Sequence, residues 1–256
     1  MKKRKTIILG SVIASIVIIA LTYGLTYAYL IDRDDKDNII TVGNVNLGIV
    51  ETGYEDSQPV VAHQIISKAP KVKNTGNTNE YVFLTVRVPK RNVTLLDTDG
   101  KKKYTDNNGK KIVEIFNIQT TAEGVAITGD TDVDFHYNGG KDADANANPA
   151  VEYAEGWILL SSKTTETGYD EYTFGYNKLL APNASTHALF DKVQLKSFID
   201  QEVTGENTTT KIDIQAYGIQ TRNLGITDNW TNNKEQLTTD NLNAIFTIIK
   251  NKKNIT

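Results

Sequence analysis

The stretch YVFLTVRVP, residues 81–89, alternates without a break: Val82, Leu84, Val86 and Val88 face one way, Tyr81, Phe83, Thr85 and Arg87 the other. A period of two is the signature of a β-strand. Pro89 is expected to end it, because proline cannot donate to a ladder. The cluster Asn74-Thr75-Gly76-Asn77 just before it reads as a turn.

The same pattern recurs on either side. IITVGNVNLGIV, residues 39–50, alternates through Ile40 and Val42, then Val45, Leu47 and Ile49, and the change of parity at Gly43-Asn44 predicts a bulge. VVAHQII, 60–66, reads as a short strand. Asp99-Gly100 and Asn108-Gly109 predict hairpin turns, followed by a strand from Ile112 to Ile118. Residues 138–149 offer almost nothing to bury and read as an exposed loop. Strands resume in WILLSS (157–162), in YDEYTFGYNKLL (169–180, with Tyr172, Phe174 and Tyr176 on one face), in HALFDKVQL (187–195) and in KIDIQAYGIQ (211–220). The tail differs. Leu242, Ile245, Phe246 and Ile249 fall at i, i+3, i+4 and i+7, which predicts a helix over about 240–250 with Asp240 as its N-cap. Short strands without βα alternation, closed by one helix, predict an all-β fold: an antiparallel β-sandwich with loop insertions, forming one domain over 39–256.

The N-terminus is of another kind. Lys2, Lys3, Arg4 and Lys5 precede an uncharged, largely apolar run from Thr6 to Leu25, and Thr26-Tyr27-Ala28 places small residues where a signal peptidase needs them. Residues 1–28 therefore read as a signal peptide cut before Tyr29, and the protein as secreted, extracellular or at the cell surface. Left uncut, a run of about twenty residues is long enough to anchor the chain in a bilayer. Residues 29–38, YLIDRDDKDN, form a polar leader. Cleavage removes four cations and no acid, which moves the net charge from −3 to about −7. Such a surface repels phosphates, so nucleic acid is not an expected partner. The absence of cysteine excludes disulfides, thiol nucleophiles and zinc–thiolate sites.

Thr26-Tyr27-Ala28-Tyr29-Leu30 followed by Asp32 resembles the SipW-type signals of Gram-positive bacteria. NIITVGNVNLGI, VKNTGNTNEYVFLTVRVP, GWILL, YNKLLAPNASTHALFDKV and IDIQAYGIQ, in that order, are similar to core blocks of the TasA and camelysin proteins. The resemblance runs from residue 7 to about 220, and the insertion-rich 97–156 and the tail after 225 depart from it. It implies a jelly-roll-like β-sandwich and assembly into biofilm matrix fibres. In such fibres the segment behind the cleavage site inserts as a strand into the next subunit. Here that donor is Tyr29 to about Ile40, with Tyr29, Leu30 and Ile31 supplying apolar groups and RDDKD turned to solvent. The implied partners are further copies of the chain, the signal peptidase during export, and a matrix protein or cell-surface anchor.

Camelysin-type proteins are also classed as metallopeptidases, so a secreted metallopeptidase is the alternative. No HExxH occurs, and His63, His136 and His187 lack ligand spacing. Asp130, Asp132, Asp134 and His136 stand at period two and carry the donor atoms that calcium or zinc would use; solvated acids on an edge strand explain them as well. Lysines follow Asp97-Thr98-Asp99-Gly100 where a calcium loop needs ligands, so that stretch reads as a turn. No cofactor is expected, and neither a G-x-S-x-G elbow nor a phosphate loop is present. A third reading is a surface adhesin or carbohydrate-binding module, with Trp157, Tyr169, Tyr172 and Tyr176 lining a groove, set against cross-strand or core packing of the same rings.

Overall fold

YVFLTVRVP is the centre of a longer strand, Glu80–Thr94, and the rest of the fold is laid around it. A computed structural model describes residues 31–34, 47–52, 62–121, 124–127, 134–140, 155–164, 168–199, 211–221 and 237–253. In chain order its strands are β1 Ile31–Asp34, β2 Leu47–Thr52, β3 Ile65–Ser67, β4 Ala69–Asn74, β5 Glu80–Thr94, β6 Lys110–Glu114 and β7 Phe116–Gln119. They continue with β8 Val125–Ala126, β9 His136–Tyr137, β10 Trp157–Lys163, β11 Gly168–Tyr176, β12 Lys192–Leu195 and β13 Asp213–Gln220, followed by helix α1, Thr239–Lys253.

The main sheet runs β1-β13-β5-β11-β10, with β6 also paired to β5. Lys90 pairs with both Gly168 of β11 and Glu114 of β6, so β6 lies on the β13 side of β5, beyond the point where β13 ends at Arg87. Pro89 falls in that gap and does not end the strand, contrary to the expectation. A strand residue aims its N–H and C=O at the same edge. The Pro89 carbonyl accepts from Ile115 N at 3.1 Å, so its missing N–H faces the junction between β13 and β6, where no ladder bond is lost.

Smaller sheets, β2-β4, β3-β12-β7 and β8-β9, form the second layer. All the paired strands are antiparallel; among the described residues, Ile118–Phe135 and Gly139–Trp157 are parallel bridges. Val82, Leu84, Val86 and Val88 meet Val72, Ile118, Phe135 and Val193 across the interface, with Trp157, Phe174 and Tyr176 buried among them. The chain is therefore an antiparallel β-sandwich with a C-terminal helix. The predicted 112–118 strand is two strands, because the chain changes sheet at Ile115. Ile115 N donates to Pro89 of the main sheet, and Ile115 O accepts from Lys196 N at 2.8 Å, just past β12. Just before β5 lies strand β4, with Pro70, Val72 and Asn74 buried, and Asn74, expected in the turn, is its last residue.

Helix α1 covers the other face of the main sheet. Leu242, Ile245, Phe246 and Ile249 pack on Tyr81, Phe83, Tyr217 and Ile219, with the Phe83 and Phe246 ring centroids 5.2 Å apart. Gly175 permits this approach, since a Cβ there would lie 3.0 Å from a Leu242 methyl. The N-cap is Thr238, not Asp240. Thr238 Oγ1 accepts from Asn241 N at 3.2 Å, and Asn241 Oδ1 accepts from Thr238 N at 3.2 Å, a reciprocal capping arrangement. Asn138 N and Gly140 N donate to Leu189 O and Trp157 O, so the start of the predicted 138–149 loop is pinned to the sandwich; 141–149 lie outside the described residues.

Candidate functional site

The edge beyond β13 is the candidate site. Ile214 and Ala216 point into the sandwich and Tyr217 and Ile219 into the helix-covered core, so β13 is buried on both faces. Its β5 side is paired from Asp213↔Arg87 to Gln220↔Glu80. Its other side is a row of backbone donors and acceptors that a further strand must satisfy. β1 supplies that strand, in the antiparallel register Ile31↔Ile219, Asp32↔Gly218, Arg33↔Tyr217 and Asp34↔Ala216. Gly218, at the centre of this pairing, admits Leu47 of β2: a Cβ there would lie 2.6 Å from Leu47 Cδ1. Of the expected donor residues, Ile31 is the first of β1; Leu30 and the processing residues Thr26, Tyr27, Ala28 and Tyr29 lie outside the described residues.

The other candidates are dispersed. Asp130 and Asp132 lie outside the described residues. Asp134 Oδ1 and His136 Nε2 are 3.4 Å apart, a half-exposed pair. Among the described residues no group of three or more His, Asp or Glu is placed to hold a metal. Asp97 forms a turn: its Oδ1 accepts from Asp99 N and Lys101 N, at 3.0 and 2.8 Å. Trp157, Tyr172 and Tyr176 are core residues and offer no binding platform; Tyr169 is exposed, with the Arg87 guanidinium 4.9 Å from its ring centroid. A groove of about 310 Å³ is lined by His63, Leu95, Lys103, Asn117, Asp134 and Lys196, among others. Among the described residues no helix is long and apolar enough to cross a membrane.

Sequence reasoning missed one cluster. Lys90 continues the inward parity of Val82 to Val88, and Asp170 continues that of Tyr172, Phe174 and Tyr176, so both charges lie at the end of the inner face. Lys90 Nζ stands 3.1 Å from Asp170 Oδ1, and both side chains are almost fully buried. Beside them the Tyr172 hydroxyl is 2.5 Å from Glu114 Oε1. The signal was available in the alternation itself, but a strand ending at Pro89 leaves Lys90 outside the sheet.

Comparison of the chain with protein-family models, with curated proteins and with solved structures finds no match.

Proposed function

We propose that the protein is an exported structural subunit of TasA and camelysin type whose copies join by strand donation, the leader behind Ala28 filling the β13 edge of a neighbour. The observation that carries this reading is the pairing of Ile31–Asp34 with β13, since the residues just behind the expected cleavage site are those that complete this edge. An edge completed by a strand of the leader accepts the equivalent strand from another copy with the same backbone bonds and the same apolar groups. Residues 35–46, which join β1 to β2, span roughly 40 Å when extended, enough to reach an adjacent subunit. Such a subunit forms extracellular matrix or surface fibres with itself and with a matrix or cell-surface partner.

Replacing Leu30 and Ile31 together by Asp tests the reading. The variant is expected to fold, with unchanged circular dichroism and thermal midpoint, and to form no fibres. Fibres of wild-type length and yield from this variant would refute donation by the leader.

A further inference from the structure

The buried cluster beneath β6 has no part in the edge pairing. Glu114, on β6, is 2 % exposed. Its Oε1 meets the Tyr172 hydroxyl at 2.5 Å, while its Oε2 is buried with no hydrogen-bond partner among the described residues. The groups facing it are Lys90 of β5, Asp170 and Tyr172 of β11, and Lys196 just past β12. Lys90 is already engaged with Asp170. A neutral Glu114 leaves that pair balanced, whereas an ionised Glu114 adds a second buried carboxylate beside Asp170, with one oxygen unsolvated. Glu114 also adjoins Ile115, the residue whose N–H bonds to the main sheet and whose carbonyl bonds to the chain beyond β12.

We propose that Glu114 is a proton-operated latch: its protonated form holds β6 and the Ile115 corner closed between the two layers, and its ionisation loosens them. Burial pushes its carboxyl up; the Tyr172 hydrogen bond opposes this, Asp170 adds to it, and Lys196 and Lys90 oppose it, which leaves the group at about 7. An unfolded glutamate ionises near 4.3. Between these values the folded chain holds a proton that the unfolded chain has released. The stability contributed by Glu114 is therefore complete in acid and declines as pH rises through that window.

Hydrogen exchange of the purified protein at pH 6 and pH 8, corrected for intrinsic rates, tests the latch. Amides of residues 110–116 are expected to lose about tenfold in protection at pH 8 relative to those of α1, as the protonated fraction falls by that factor. Glu114→Gln, neutral at both pH values, is expected to abolish the difference. Tyr172→Phe removes the hydrogen bond that favours ionisation, so the loosening should move to higher pH. Equal protection of wild-type 110–116 at the two pH values, or an unchanged pH response in Glu114→Gln, overturns the proposal. Should the variants fail to fold, carboxyl carbon NMR of the wild type decides: a Glu114 midpoint near 7 supports the latch, and one below 5 refutes it.

Discussion

β13 has two neighbours, and the ladders that bind it differ in length. On the β5 side the ladder spans Asp213 to Gln220, and the side chains of both strands are buried by the second layer on one face and by α1 on the other. On the β1 side four residues pair through their backbones. A partner fixed by burial on both faces cannot leave without opening the core. A four-residue ladder at an edge is shorter, and it is the easier of the two to exchange for an equivalent strand. The contrast separates the part of the molecule that specifies the fold from the part that the proposed strand donation would use.

Substitutions should grade along this contrast. The largest loss is expected in the inner core: Phe174→Ala, fully buried against Phe135 and Tyr137, should cost about 3–5 kcal/mol in urea unfolding. Ile245→Ala, in the smaller core beneath the helix, should cost about 2–4 kcal/mol. Thr238→Ala removes the helix cap and should cost about 1 kcal/mol. Arg87→Ala breaks a 2.7 Å ion pair with Glu171, but its side chain is 38 % exposed, so the loss should stay below about 1 kcal/mol. A loss from Ile245→Ala equal to that from Phe174→Ala would show that the helix is as deep a part of the core as the sandwich.

Acid should act at a different place from alkali. Burial pushes Asp191 up, but hydrogen bonds from Thr121 N–H and from the Thr121, Thr120 and Asn138 side chains more than offset it, and its carboxyl ends below the usual range. A depressed carboxyl contributes stability that is present above the unfolded value and lost as pH falls through the folded one. Asp191→Asn should therefore flatten the acid limb of a stability–pH profile and leave the loss at higher pH in place.

The sandwich was legible because Val82 to Val88, Tyr172 to Tyr176 and Ile212 to Ala216 keep a strict period of two, which only strands bury coherently. The helix was legible because Leu242 to Ile249 change that period. Pro89 misled because a proline at a junction between two partner strands forfeits no bond, and such a junction is a property of the assembled sheet. Thr238 escaped notice because Asp240, two residues on, is as good a capping residue by type, and only geometry shows that the Thr238 hydroxyl accepts from Asn241 N. Residues 31–34 read only as part of a polar segment, with no alternation to mark them as a strand. The edge they occupy was not legible either, because register depends on the backbone of β13, some 180 residues away.

Electron microscopy of the purified chain 29–256 beside the chain beginning at Asn38, which lacks β1, tests the central claim most directly. Strand donation predicts fibres from the first and dispersed, folded monomers from the second. Fibres of equal abundance from both would contradict it.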